Sequence, residues 1–241
     1  MPQPRFGRRS FVDNYFPPGL KWLIIINVAV FVLDFLAGPT IHSALMAFFA
    51  LTVEGAVKNF LIWQIFTYMF LHGGFTHLLF NMLTLWFFGT QLERDWGTRR
   101  FLKYYFLCGL AAGVCVVLAN ILVGDMYTPT IGASGAICGL IGAALVIGLR
   151  TEGYRSALGL RMAVWLGILL LIPPVKYLQG DYVQVDNAAH LGGAAAGIII
   201  AATWDRVYEY TARGHRAVLA GCLGVVLFAG AAPPRRAASR T

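Results

Sequence analysis

Charge is scarce in this chain. Only 12% of its 241 residues are Asp, Glu, Lys or Arg while 58% are hydrophobic, and soluble domains carry about twice that charged share. A soluble core is therefore excluded. Acid is scarcer still, with 11 acidic residues against 19 basic ones. No two aspartates fall within the apolar runs, which removes an intramembrane acid dyad. No His-Glu-x-x-His is present, which removes the zinc-protease pattern. The 4 cysteines, Cys108, Cys115, Cys138 and Cys222, lie in apolar runs without Cys-x-x-Cys spacing. They read as small packing residues rather than a disulfide framework or a metal set. Nothing in the composition asks for a metal or a cofactor. The basic excess sits at the ends of apolar runs and not on one face, so it speaks for membrane topology and against nucleic acid.

What the chain does contain is a series of apolar runs near the roughly 20 residues that cross about 30 Å of hydrocarbon. They cover roughly Lys21–Ala37, Leu71–Leu92, Tyr104–Val123, Ser134–Leu149, Met162–Val175 and Asn187–Trp204. This spacing predicts an all-α polytopic membrane protein with six transmembrane helices. Residues 1–19 form a cytoplasmic N-terminal segment, 20–208 the membrane domain and 209–241 a tail, in which the apolar segment 217–232 is a candidate for an additional helix. Gly7-Arg8-Arg9-Ser10-Phe11-Val12 resembles a twin-arginine export signal. Pro17-Pro18 interrupts it and no small-x-small cleavage site follows, so the first helix is read as uncleaved. Between spans one and two, Ile41, Leu45, Phe48, Phe49 and Val53 recur at helical spacing and Glu54 and Lys58 interrupt them, as in an interfacial helix within a long outer loop. Span five is short and meets Pro173-Pro174, which end or kink it. Basic residues cluster before span one, between spans two and three and spans four and five, and after span six, placing the N-terminus in the cytoplasm.

Four polar side chains stand out within these runs. Ser134 follows Gly132-Ala133, and at ~1.5 Å per residue the run Ser134–Leu149 covers only about 24 Å, so the serine lies below the outer surface. Non-helical backbone at that depth must be buried in protein or line a water-filled cavity, and hydrolysis needs water. His190 lies near the start of the last span. His77 and Asn81 lie one turn apart on the second, with Thr84 continuing their stripe and His72 at the outer end. Polar groups in such segments are a functional-site hypothesis by default, although each taken alone reads more readily as hydrogen-bonding glue between helices. Gly135, Gly139 and Gly142 share one face of span four, and Gly193 and Gly197 share the His190 face of span six. Small faces let backbones approach closely, which would bring Ser134 and His190 together as nucleophile and base. The first backbone N–H groups of span four, with His77 and Asn81, can supply oxyanion donors. Asp186 is a candidate third member of the set.

Together these stretches resemble the rhomboid family of intramembrane serine proteases over roughly Trp63–Trp204. The carriers are His72-Gly73-Gly74-Phe75-Thr76-His77-Leu78-Leu79-Phe80-Asn81, Gly132-Ala133-Ser134-Gly135 and Ala189-His190-Leu191-Gly192-Gly193, with Glu93 and Gly97 also fitting. The resemblance implies a six-helix core, Ser134 as nucleophile and His190 as general base and acid in a dyad that dispenses with Asp186. It implies an oxyanion hole from His77, Asn81 and the Ser134 N–H, and no cofactor. The substrates would be transmembrane helices of other proteins, entering from the lipid bilayer past span five. The setting would be a cell membrane, of the bacterial inner-membrane type. Two positions depart from the family pattern. Gln64 follows Trp63 where an arginine is usual, an expected loss of loop anchoring, and Cys138 replaces an aromatic that often packs on the histidine. The alternatives are a rhomboid-like binding factor with weak or no catalysis, a transporter with broken helices, and haem ligation by His72, His77 or His190. No repeated half supports a transporter, and both dyad residues are present.

Overall fold

A computed structural model describes residues 15–153, 160–168 and 187–204. The expectations placed on the twin-arginine-like stretch, Pro173-Pro174, Asp186, Cys222 and the run 217–232 lie outside the described residues.

Helix α1 (Pro18–Phe49) starts with proline at its first position, where the missing N–H has no intrahelical acceptor anyway. The amides of Gly19 and Leu20 donate to the two carboxylate oxygens of Glu93, at 2.8 and 2.6 Å. A buried acid from another helix thus caps the positive end of α1. Gly38 (φ 79°) and Pro39 then break the helix, because the glycine enters a region closed to other side chains and the proline has no N–H to offer. Asp34 and His42 pair across the break at 2.9 Å. The first span and the interfacial segment expected from the sequence are thus two arms of one element. The second arm stops at Phe49 instead of continuing to Val53.

Helices α2 (Phe75–Trp96) and α3 (Thr98–Val123) meet at Gly97. Glu93 ties this turn as well, accepting the Thr98 hydroxyl at 2.5 Å. Helix α4 (Ser134–Glu152) opens on the serine, α5 covers residues 160–168, and α6 (Asn187–Trp204) closes the described chain. Helix α4 runs past the expected end at Leu149. The reason is Arg150, whose guanidinium donates to Ala201 O and Ala202 O at the end of α6, where carbonyls lack helical partners. At 19 residues the helix is about 28 Å long. Length alone therefore submerges Ser134 far less than the shorter estimate did.

The centre of the molecule is the contact between α4 and α6, backed by α3. A Cβ on Gly193 would overlap Gly135 O, one on Gly197 would overlap Gly139 O, and one on Gly142 would come within 2.6 Å of Ala194 O. At these glycines α4 and α6 lie backbone against backbone. Cys108 and Cys138 are fully buried around them, as expected of packing residues.

The outer loop is anchored by the side chain expected to weaken it. Gln64 is 0% exposed; its Oε1 accepts from Thr52 N at 3.2 Å and its Nε2 donates to Ala47 O at 3.1 Å. Trp63 Nε1 donates to Phe48 O at 2.9 Å and Thr67 Oγ1 to Phe49 O at 2.8 Å. Three side chains thus satisfy the last carbonyls of α1. The carboxamide carries both a donor and an acceptor, which is why it can serve here without an arginine. The loop then pairs Leu51 with Thr130 in an isolated antiparallel bridge.

Helices α1 and α3 are long and apolar enough to cross a membrane, yet only 22% and 28% of their most apolar windows are buried. Phe35 is 77% exposed and Leu122 86%. Apolar surface on this scale marks a face for lipid, not for water.

Candidate active site

Ser134 is the first residue of α4, and no side chain caps that helix start. The N–H groups of the first turn point out of the helix without intrahelical acceptors. His190 projects from the first turn of α6 and is buried. The glycine contacts set the two helices so close that His190 Nε2 and Ser134 Oγ are 2.8 Å apart, a normal hydrogen-bond length. This contact is made although Cys138, not an aromatic, lies one turn after the serine.

His77 and Asn81 reach the same place from α2. A Cβ on Gly132 would stand 2.8 Å from His77 Nε2 and 3.8 Å from Asn81 Nδ2, so both nitrogens overlie the backbone two residues before Ser134. Gly132 itself has φ 118°, a conformation that only glycine adopts without strain. The Gly73 amide donates to His77 Nδ1 over a long 3.4 Å. A neutral imidazole that accepts at Nδ1 carries its proton on Nε2, the nitrogen facing Gly132. Asn81 Nδ2 donates to His77 O at 3.0 Å and has a second hydrogen to offer. His72 is buried beside this pair, its ring 5.1 Å from that of His77 and edge-on to it. Thr84, placed on the same stripe by spacing, donates instead to Phe80 O at 2.7 Å and stays with its own helix.

Two contributors carried no signal of their own in the sequence. Gly132 was visible only as part of a small-residue stretch. Tyr68 was not visible at all: its carbonyl accepts from Gly132 N at 2.9 Å and its hydroxyl donates to Gly109 O at 2.7 Å. It thereby braces the strained backbone before the serine against α3. Among the described residues, no cluster of three or more His, Cys, Asp or Glu could hold a metal ion.

A serine paired with a histidine across two glycine-packed helices, beside convergent N–H donors, defines a helical membrane protein with a hydrolase-like site. Residues 59–206 match the Rhomboid domain family. Rhomboid protease GluP of Bacillus subtilis (strain 168) is 34% identical over 178 residues, which is 71% of this chain and 32% of that protein. RHOMBOID-like protein 4 of Arabidopsis thaliana is 30% identical over 220 residues, 78% of this chain and 52% of its own length. Inactive RHOMBOID-like protein 8 of the same plant is 33% identical over 159 residues, 65% of this chain and 42% of its own. The chain belongs to the rhomboid family and is, like that family, a multi-pass membrane protein. It spans about a third to a half of the length of these curated relatives.

Proposed function

We propose that this chain is an intramembrane serine endopeptidase that cleaves peptide bonds in or near transmembrane segments of other membrane proteins. Residues 20–208 form its six-helix membrane domain, with the N-terminus cytoplasmic. The observation that carries this reading is the 2.8 Å hydrogen bond between Ser134 Oγ and His190 Nε2. His190 Nε2 takes the hydroxyl proton as Oγ bonds to the scissile carbonyl carbon. The carbonyl π electrons move to oxygen, and the oxyanion accepts hydrogen bonds from the Ser134 N–H, His77 Nε2–H and Asn81 Nδ2–H. Collapse expels the amine, which takes the proton from Nε2. Water then attacks the acyl-enzyme while Nε2 accepts its proton. The acid product leaves and Oγ regains the hydrogen. No metal or cofactor enters this sequence.

A relative named inactive means that family membership alone does not decide activity. The presence of both residues, in hydrogen-bonded geometry, favours the active reading over that of a binding factor. Purified protein and its Ser134→Ala variant, each incubated in liposomes with a transmembrane substrate, test it. Cleavage by the first and not the second is expected. Equal cleavage by both, or no cleavage together with no fluorophosphonate labelling of Ser134, overturns the proposal.

A further inference from the structure

Beside the turn between α2 and α3 lies an open cavity of about 570 Å³. Arg99, Arg100 and Lys103 line it, and Trp96 and Tyr104 form its walls. Leu107, one turn beyond Lys103, and Ile200 on α6 continue it along the helices. Among the described residues, none of its lining side chains is acidic. Of the two nearest acids in sequence, Glu93 is engaged with Gly19, Leu20 and Thr98, and neither Glu93 nor Asp95 lines the cavity. The Arg100 guanidinium lies 5.6 Å from the Trp96 ring centre and 5.8 Å from that of Tyr104. Resting against this pair of rings, whose centres are 5.0 Å apart, it has less rotamer freedom to lose when it grips an anion. Arg99 and Lys103 are exposed.

The order of these groups is that of an amphiphile. Cations stand at the helix ends, aromatic rings come next and aliphatic side chains follow. Trp and Tyr favour the headgroup level of a bilayer, and basic pockets between membrane helices suit anionic headgroups. A free phosphate would use the cations and leave the rest of the cavity empty. We propose that this cavity binds an anionic phospholipid, with its phosphate among Arg99, Arg100 and Lys103 and an acyl chain over Leu107 and Ile200. Ser134 and His190 do not line it, so the site stands or falls apart from the peptidase reading.

Native mass spectrometry tests the proposal on the full chain, released from nanodiscs of phosphatidylcholine with graded phosphatidylglycerol of the same acyl chains. One phosphatidylglycerol per protein is expected to be retained, saturably and in preference to phosphatidylcholine. The combined Arg99→Gln, Arg100→Gln and Lys103→Gln variant is expected to bind it roughly a hundredfold more weakly, from the contribution of each basic residue near a charged surface. Lys21→Gln with Arg94→Gln, outside the cavity, is expected to change retention by less than about twofold. Inorganic phosphate and glycerol 3-phosphate at millimolar concentration are expected not to compete. Equal retention of the two lipids, full retention by the triple variant, or an equal loss in the Lys21/Arg94 control overturns the site. Effective competition by the soluble anions overturns the lipid assignment. If the triple variant unfolds in phosphatidylcholine nanodiscs, the single Arg99→Gln, an exposed position, decides through an expected roughly fivefold loss.

Discussion

A serine hydroxyl becomes a competent nucleophile when a neighbouring base removes its proton, and His190 Nε2 is within hydrogen-bond reach of Ser134. Fluorophosphonate labelling of Ser134 is therefore expected to vanish in His190→Ala while the melting temperature stays close to that of the parent. Labelling that survives would reassign the base. Asp186→Asn should keep most activity if the pair works as a dyad. Because one oxyanion donor is worth about 10² to 10³ in rate, Asn81→Ala and His77→Ala should each lower kcat by that order with little change in KM. Loss of thermal stability with normal turnover per folded molecule would make either residue structural instead. Gln64→Leu tests the loop anchor. It strands the Thr52 N–H and the Ala47 O that Gln64 now satisfies, each such buried group costing about 1–3 kcal/mol. A clearly lower melting temperature is expected, and an unchanged one would return the anchoring role to Trp63 and Thr67.

Among the elements, the α4–α6 pair decides whether the site exists. Backbone meets backbone at Gly135 with Gly193 and at Gly139 with Gly197, so any larger side chain there must drive the helices apart. Overpacking of this kind costs about 1–3 kcal/mol, and here it also lengthens the Ser134–His190 hydrogen bond. Gly197→Leu is expected to lose both melting temperature and probe labelling, whereas Gly167→Ala, with open space around it, should change neither. Retained labelling in Gly197→Leu would show that the pairing does not depend on this contact. The α1 cap follows the same logic. Glu93→Gln turns a charge-assisted acceptor at the start of α1 into a neutral one, and charged hydrogen bonds are about twice as strong.

For the molecule as a whole, the open question is how a substrate helix reaches a serine held between helices. One wall has to move, and α5 is the candidate: span five is the shortest expected from the sequence and carries no Gly-x-x-x-Gly of the kind that locks α4 to α6. It touches α2 through Trp165, whose ring lies 6.4 Å from Phe87 and 5.7 Å from Phe88. Joining Phe87→Cys to Trp165→Cys with a short thiol cross-linker should suppress cleavage of a transmembrane substrate, reversibly if the linker is reducible. Labelling of Ser134 by a small water-borne probe should survive. Full proteolysis with the cross-link verified as closed would point to another entry route.

Much of this molecule was legible in one dimension because its determinants are local. Apolar run length and the positions of basic residues are read residue by residue, and so is the three-to-four-residue spacing that put His77 beside Asn81 and aligned the glycine faces. The family motifs are equally local strings. What the sequence did not contain were partners brought together by chain closure. Gln64 meets carbonyls 16 and 17 positions away, Glu93 caps a helix 74 positions away, and Arg150 holds carbonyls 51 positions away. The fit of Gly132 beneath His77 and the bracing by Tyr68 belong to the same class. Hydrogen-bond donors and acceptors are obligatory for every buried polar group, but which group answers which is set by packing. The sequence by itself determined that a serine, histidines and an asparagine would share a helical membrane bundle. Only the tertiary structure decided that a glutamine could stand in for an arginine, that α4 would run on to Glu152, and that an imidazole nitrogen would come to lie against a serine oxygen.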